Sequence, residues 1–356
     1  MFWFAVGIFY LLILLALSKA VRHKLDAVSN LLLCLVASGA FFILGECFFR
    51  TRHYLVRKIP PFAVLENYSG GTKNANNTNR QLFTGLGWQG KEIRGDKNSP
   101  RKKMLVVGDS FTDGMGLAED ALYYSHLAKS LNTELFVYAA KGYSSLQEYL
   151  AIDHMLEIVK PDLILLQVCS NDLINNYYPL EKQSHSQRFP MKRPYLESGQ
   201  IVYRFAGRFE TLHLKLGQHS RFFHFLSSKL DHLSLRLHQL QNHPGIEKRI
   251  AQEGKSLPQF REAIAVTEQI VELIKKRVSK TPIIAFIADT PRVERIAFRQ
   301  IFSKHKIGFV ESAAVEVEKL KQLGEVVTIA DGTHWNARGH LVISNTLESE
   351  LRNAIN

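Results

Sequence analysis

Apolar and polar positions divide the chain into an apolar N-terminal part and an alternating C-terminal part. Residues 1–17 and 28–49 form two apolar runs, each about long enough to cross a bilayer core as a helix. From residue 100 onward, short apolar runs alternate with amphipathic stretches, which is typical of buried parallel strands covered by helices. The pattern predicts two transmembrane helices in residues 1–49, ahead of an α/β domain.

Two other interpretations of the apolar runs remain open. The first run is compatible with a signal peptide cleaved near Ala16-Leu17-Ser18, although it lacks a basic leading segment and is long for that purpose. Both runs are also compatible with buried core helices, but an apolar pair ahead of a soluble domain rarely packs in that way. Basic residues stand both between the runs (Lys19, Arg22, Lys24) and after the second (Arg50, Arg52, Arg57, Lys58), so the positive-inside rule does not decide the orientation.

The remainder divides into a linker and one domain. Residues 50–99, rich in Asn, Gly, Thr and Lys, are predicted as a linker and N-terminal extension, of which residues 85–95 could pack on the sheet. Residues 100–356 are predicted to form a doubly wound, flavodoxin-like parallel sheet of about five strands. The predicted strands are residues 103–107, 134–138, 162–168, 282–288 and 308–310, with residues 325–329 a terminal strand or an extended approach to Asp331. The predicted helices are residues 119–131, 261–279, 293–304, 313–323 and 337–354.

The alternation is interrupted by an insertion at residues 173–258. Residues 177–179 and 193–195 are predicted as loop, and residues 205–240 as helix, because apolar residues recur there at helical spacing among Lys and Arg. Three interpretations are open: an amphipathic cap with a solvated basic face, a lid over an acyl pocket, or a helix on a membrane surface. The insertion histidines lack the spacing of a metal motif, so no metal and no cofactor are predicted.

Four polar segments lie where buried strands are predicted to end. They are Gly108-Asp109-Ser110-Phe111, Gly142-Tyr143-Ser144, Ser170-Asn171-Asp172 and Asp331-Gly332-Thr333-His334. Each segment alone is compatible with a helix cap or a turn. In order, however, they supply a serine, a backbone-amide turn, an asparagine and an Asp/His pair at the ligand-binding edge of a parallel sheet. These are the parts of a serine acyl-transfer site.

The chemistry assigns a role to each part. Ser110 is the candidate nucleophile and His334 its base, because Asp331 is three residues away and can orient the imidazole. The N–H groups of Ser110 and Gly142, with the side-chain amide of Asn171, are the candidate oxyanion donors.

The same segments resemble blocks I, II, III and V of the SGNH (GDSL) hydrolase superfamily, over about residues 100–355 apart from the insertion. The resemblance implies the same roles for Ser110, Gly142, Asn171, Asp331 and His334. It also implies a membrane-anchored esterase acting on envelope or surface glycans, which favours a domain outside the cytoplasm, on the periplasmic side. Block III usually opens with glycine, whereas this chain has Cys169. An α/β-hydrolase is less compatible, since no Gly-x-Ser-x-Gly elbow surrounds Ser110.

Composition narrows the partners. The net charge is +12 and the pI about 9.5, but Lys and Arg are spread over flanks, linker and insertion without an aromatic-studded motif. A nucleic-acid partner is therefore not predicted, whereas membrane lipids or an acidic glycan are. Cys34, Cys47 and Cys169 offer no disulfide framework.

The sequence thus predicts a serine esterase that hydrolyses or transfers an acyl group, with O-acetyl on a glycan favoured. The alternatives are a lipid-directed esterase and a non-catalytic glycan-binding or assembly protein with the same fold. Oligomeric state stays open.

Overall fold

The computed structural model describes residues 26–57, 91–189, 192–207, 210–217, 219–240 and 245–355. The first predicted span and most of the predicted linker, residues 58–90, lie outside these ranges.

The domain is built on one six-stranded sheet, and a separate two-stranded hairpin lies in the insertion. The strands in chain order are β1 Lys91–Arg94, β2 Lys103–Gly108, β3 Glu134–Ala139, β4 Leu163–Val168, β5 Lys192–Glu197, β6 Gln200–Phe205, β7 Ile283–Ile287 and β8 Gly308–Val310. The main sheet has the order β1-β3-β2-β4-β7-β8, and β5 pairs with β6. Strands β3, β2, β4, β7 and β8 are parallel, which confirms the predicted five-stranded parallel sheet.

The helices flank this sheet and form the insertion. They are α1 Asp26–Arg57, α2 Ser110–Asp113, α3 Tyr123–Ser130, α4 Ser145–Val159, α5 Asp172–Asn175, α6 Tyr178–Glu181, α7 Glu210–Leu212, α8 Arg221–Leu240, α9 Ile246–Glu253, α10 Pro258–Val278, α11 Arg292–Lys304, α12 Ser312–Gln322 and α13 Ala337–Ile355. Short 3₁₀ turns occupy Gly114–Gly116, Glu119–Ala121 and Gly254–Ser256, and a π-helical turn occupies His213–Gly217.

Apolar cores lie on both faces of the sheet, as a doubly wound fold requires. One core joins the sheet to α4, α10 and α11, and the other joins it to α3, α12 and α13. Every residue of β4 is buried, because β4 lies between β2 and β7 in the middle of the sheet. This explains why Leu163–Val168 is apolar except for Gln167, since a strand covered on both faces has no polar side and a buried polar side chain needs hydrogen-bond partners.

The segments before the first and after the last parallel strand, residues 91–94 and 325–329, differ in structure from each other. Residues 91–94 of the predicted extension pair antiparallel with β3 as an edge strand. Residues 325–329 do not form a strand; only Thr328 makes a bridge, to Trp335, so this segment is the extended approach to Asp331.

Within the described residues, one helix is long and apolar enough to cross a membrane, with the candidate span at Leu31–Arg52. Length and composition alone do not distinguish a span from a signal sequence. The stretch is largely uncovered by the rest of the chain, unlike a core helix.

The insertion contains a hairpin where a loop was predicted. Residues 193–195 lie in β5 and residues 178–179 lie in α6, so the loop predictions were wrong there. Phe205, the first residue of the predicted helix 205–240, is the last residue of β6. Pro194 disfavours a central strand, but a two-stranded ribbon has two edges and tolerates proline. The buried side chain of Arg193 forms an ion pair with Glu181 at 3.4 Å, a contact between distant residues that local pattern does not reveal.

Candidate active site

Ser110 lies at the junction between a buried strand and a short helix. Strand β2 ends at Gly108, and Ser110 is the first residue of α2. The Asp109 carboxylate caps this helix by accepting a hydrogen bond from the N–H of Phe111 at 2.9 Å. Asp109 in turn donates its own N–H to Gln167 Oε1 on the adjacent strand β4, at 3.0 Å. These bonds fix the backbone on both sides of the serine.

The structure brings Asp331, His334 and Ser110 into one hydrogen-bonded chain. His334 Nε2 is 2.8 Å from Ser110 Oγ, and His334 Nδ1 is 2.6 Å from Asp331 Oδ2. The other carboxylate oxygen of Asp331 accepts the N–H groups of Thr333 and His334, at 2.8 and 2.9 Å. Gly332, at φ +73°, allows the tight turn that joins acid and imidazole.

Asp331 is held as a carboxylate. Its slight burial acts to raise the pKa, but the hydrogen bonds from the Thr333 N–H and from His334 outweigh burial and hold the pKa below its usual range. An ionised acid next to Nδ1 favours the tautomer whose Nδ1 carries the proton and whose Nε2 can accept one from Ser110.

Gly142 and Asn171 follow the two strands that flank β2. Gly142 comes after β3 and has φ +76°, a conformation that glycine adopts without steric cost. Asn171 comes after β4, and its Nδ2 donates to Asn175 Oδ1 at 3.0 Å. One of the two amide hydrogens is thereby used to orient the side chain. The three strand ends lie at the same edge of the sheet, since β3, β2 and β4 are adjacent and parallel.

Buried carboxyls surround this edge, and they differ in charge from Asp331. Burial raises the pKa of Asp109 to about 6, despite its hydrogen bonds to Phe111 and Gln167. Burial and the neighbouring Asp109 raise the pKa of Asp172 well above its usual range, and burial with the nearby Asp172 does the same for Glu148. Burial therefore disfavours the charged form of these three carboxyls, whereas the hydrogen bonds around Asp331 favour its ionised form.

An aromatic ring from the insertion lies against the Gly142 turn. A side-chain Cβ at Gly142 would stand 3.0 Å from the Phe189 ring. The guanidinium of Arg193 lies over the same ring at 5.4 Å, and Glu181 accepts the Phe189 N–H at 3.3 Å. Arg193 also donates to Ser144 Oγ at 3.0 Å. The hairpin and α6 thus hold Phe189 in place beside a candidate oxyanion donor.

Two residues beside the candidate site, Asp289 and Phe189, were not predicted from the sequence. Asp289 accepts the N–H of Ser170 at 3.0 Å and also its hydroxyl, which braces the segment that carries Asn171. It could have been found, because it is the polar residue directly after the buried run of residues 282–288. Phe189 had no comparable signal, since its position depends on the Arg193 and Glu181 contacts.

The structure thus places an aspartate, a histidine and a serine in one hydrogen-bonded chain at the carboxyl edge of an α/β sheet, an arrangement that serine hydrolases use. Residues 104–347 match the family model described as GDSL-like lipase/acylhydrolase. The match covers more than half of the chain, and the chain belongs to this family, which supports esterase or acylhydrolase activity.

Solved structures of the same kind are also similar to this chain. TesA has a TM-score of 0.40 and 12% identity, covering 71% of this chain and 99% of its own. The lipase/acylhydrolase from Enterococcus faecalis has a TM-score of 0.40 and 11% identity, covering 71% and 96%. The psychrotrophic esterase EstA from Pseudoalteromonas sp. has a TM-score of 0.38 and 11% identity, covering 71% and 97%. A search of curated proteins gave no significant match.

Proposed function

We propose that this protein is a membrane-anchored serine esterase that removes or transfers a short acyl group, with O-acetyl on a cell-envelope glycan as the favoured substrate. The observation that carries the proposal is the chain of hydrogen bonds from Asp331 through His334 to Ser110 Oγ, at 2.6 and 2.8 Å. A serine hydroxyl in this arrangement can lose its proton to the imidazole as it attacks a carbonyl carbon.

In the proposed first half-reaction, Ser110 Oγ forms a bond to the ester carbonyl carbon and its proton passes to His334 Nε2. The tetrahedral intermediate collapses, the bond to the alcohol oxygen breaks, and the alcohol leaves with the proton from His334. In the second half, water or a sugar hydroxyl attacks the acyl-enzyme while His334 takes its proton. That proton returns to Ser110 Oγ as the acyl–serine bond breaks, which releases an acid or a transferred ester.

Stabilisation of the oxyanion is assigned to three donors. These are the N–H groups of Ser110 and Gly142 and the second hydrogen of Asn171 Nδ2, the first being bonded to Asn175. Donors fixed before the reaction stabilise developing charge without reorganising, and loss of one typically costs about 10²–10³ in kcat.

The preference for a small acyl group is supported by Phe189. Its ring lies against Gly142, close to where the carbonyl oxygen of a substrate would bind. Arg193 lies over the ring and Glu181 accepts the Phe189 N–H, and these contacts favour the position of the ring beside Gly142, where it would obstruct a long chain. An acetyl group needs little space at this point.

Retention of α1 as a membrane anchor is supported by its contacts. Glu46 on α1 forms hydrogen bonds with the start of α8, and the Phe222 side chain packs on α1 beside Gly45. A signal sequence removed after secretion would leave these groups without partners. We place the catalytic domain outside the cytoplasm, in line with an envelope substrate.

A lipid-directed esterase is the second candidate. The observation that favours it is the row of exposed leucines on α8, which has an apolar face without a protein partner in the described structure. The two candidates differ in the expected length of the acyl chain.

The test combines an active-site probe with a panel of esters. The detergent-solubilised full chain should react with a fluorophosphonate, and labelling should be lost in Ser110→Ala. On p-nitrophenyl esters, kcat/KM should be higher for acetyl than for octanoyl. A tenfold preference for octanoyl would favour the lipid-directed esterase, and absence of both labelling and turnover would contradict the esterase proposal.

A further inference from the structure

The insertion helix α8 is fastened to the apolar helix α1 by a carboxylate. Glu46 Oε2 accepts hydrogen bonds from Ser220 Oγ and from the N–H of Phe222, both at 2.9 Å. Glu46 Oε1 accepts the N–H of Arg221 at 3.2 Å and also pairs with Arg50. Glu46 is 3% exposed, so this carboxylate is built into the contact between the two helices.

These bonds complete the N-terminus of α8. The first N–H groups of a helix have no partner within it. Here the N–H groups of Arg221 and Phe222 go to Glu46, and that of Phe223 goes to Ser220 Oγ at 2.9 Å. A carboxylate is also favoured at this end by the helix dipole. Glu46, a charged residue within the predicted span of residues 28–49, therefore has a structural role, which is to hold α8.

Aromatic packing reinforces the junction. The Phe222 ring lies 5.4 and 5.2 Å from the rings of Phe41 and Phe42, and Phe225 lies 4.5 Å from Phe49. A Cβ at Gly45 would stand 2.7 Å from the Phe222 ring, so the approach requires glycine at that position. The start of α8 is consequently fixed at the level of residues 41–49 of α1.

Beyond the junction, α8 carries two different exposed faces. Four leucines at helical spacing form one face, the leucine face: Leu226, Leu230, Leu233 and Leu237, which are 39–54% exposed. Exposed polar residues form the neighbouring face: Lys229, His232 and Arg236. The third side of the helix is packed against the domain through residues such as Ser227 and Asp231.

We propose that α8 lies at the surface of the same bilayer that α1 crosses, with the leucine face in the acyl-chain boundary and Lys229 and Arg236 among the headgroups. The inference rests on the membrane anchoring included in the proposed function. The exposed surface of α1 is apolar as well and includes Leu31, Leu33, Phe41, Leu44 and Phe48. Both surfaces therefore fit one partner, the lipid.

Depth supports this assignment. Glu46 lies six residues before Arg52, the end of the candidate span, which corresponds to about 9 Å along a helix. Interfacial helices bury their apolar face about 5–10 Å into the boundary between headgroups and acyl chains. The hydrogen bonds of Glu46 thus hold the beginning of α8 at the depth that a surface-lying helix occupies. The adjacent basic residues Lys229 and Arg236 favour anionic lipids.

The test measures contact with lipid at two neighbouring positions. Leu233→Cys and its control His232→Cys are made in the full chain with Cys34→Ala and Cys47→Ala, labelled with the fluorophore NBD, and reconstituted into vesicles of phosphatidylcholine and phosphatidylglycerol. Residues 232 and 233 are both exposed, so the substitutions do not perturb the core. We expect quenching by a shallow lipid-borne quencher to be several-fold stronger at position 233, and quenching by aqueous iodide to be several-fold stronger at position 232.

Equal quenching at the two positions, in protein that floats with the vesicles, would overturn the surface inference. Failure to float would overturn it together with the anchoring. Hydrolysis of p-nitrophenyl acetate is measured on the same vesicles, so the esterase proposal is judged separately. Adding Glu46→Ala should reduce lipid quenching at position 233 to the level of position 232, whereas Arg52→Ala, an exposed change on α1, should leave it unchanged.

Discussion

At the scale of single residues, two hydrogen bonds join the candidate catalytic groups Asp331, His334 and Ser110. The sequence indicated all three of these groups. Ser110, Asp331 and His334 follow ends of apolar runs, and the structure brings them together. The end of an apolar run is a local property, so it can be seen in a sequence. The protonation of the carboxyls could not be predicted in this way, because burial of Asp109 and its neighbours arises only when distant segments pack.

Replacing Ser110 with alanine should abolish ester hydrolysis while leaving the fold intact. Loss of the nucleophile in a site of this kind costs on the order of 10⁴-fold or more in kcat. The measurement is turnover of p-nitrophenyl acetate, with Ser125→Ala as the control, since the Ser125 hydroxyl donates to the Glu119 carbonyl oxygen in an exposed hydrogen bond outside the candidate site. Near wild-type turnover of Ser110→Ala would exclude Ser110 as the nucleophile.

Replacing Asp109 with asparagine should stabilise the protein relative to wild type as pH rises from 4 to 7.5. The folded-state pKa of Asp109 is about 6 and its ordinary value is 3.8, so ionisation of Asp109 opposes folding as pH rises through this interval. The resulting loss of wild-type stability is complete once the pH is well above 6. Asparagine keeps an acceptor for the Phe111 N–H without ionising. The difference should reach roughly 2 kcal/mol between these pH values. Thermal unfolding of both proteins at each pH measures it, and a difference in Tm independent of pH would contradict the assignment.

At the scale of secondary-structure elements, the regular alternation was predictable and the insertion was not. The parallel strands are short apolar runs whose burial on both faces leaves a clear pattern, as in Leu163–Val168. The hairpin of β5 and β6 lacks that pattern, because its first strand contains Pro194 and the buried Arg193. Arg193 is accommodated by Glu181 on α6, and α8 depends on Glu46 on α1. Partners so distant in sequence cannot be inferred from local spacing.

Replacing Phe189 with alanine should allow longer acyl chains to be hydrolysed more efficiently. Removing the ring opens space beside Gly142, and each additional CH₂ that becomes buried contributes about 0.8 kcal/mol. We expect kcat/KM for octanoyl relative to acetyl esters to rise roughly tenfold, as about two CH₂ groups would produce. Ile201→Ala, at an exposed position on the β5–β6 hairpin that follows Phe189 in the chain, is the control. An unchanged ratio in Phe189→Ala would show that the ring does not limit the acyl chain.

At the scale of the whole molecule, the chain combines an apolar N-terminal helix with a hydrolase domain, joined through the insertion as well as through the polypeptide. The candidate span Leu31–Arg52 contacts α8 at its start. A domain held at two points has less freedom to rotate relative to α1 than one held by a linker alone. The insertion that interrupts the α/β pattern is therefore also the part that relates the domain to α1.

The orientation in the membrane can be read from the C-terminus. Two spans connected by a cytoplasmic loop at residues 19–24 would place both chain ends outside the cytoplasm. Alkaline phosphatase fused after Asn356 should then be active in a bacterial host, and GFP fused at the same point should be dark. Bright GFP with inactive phosphatase would indicate the reverse arrangement.

The edge strand β1 bears on how the domain can be isolated. It pairs with β3 from Lys91 to Arg94, and Tyr138 adds a hydrogen bond to Glu92 at 2.8 Å. A fragment that began at residue 100 would uncover β3, an apolar strand whose open backbone groups can pair with another molecule. Size-exclusion chromatography should therefore show self-association of that fragment, whereas one beginning at residue 90 should elute as a smaller species. The four residues of β1 thus cover the edge of the sheet, and their removal would leave an open edge that can pair with further copies of the fragment.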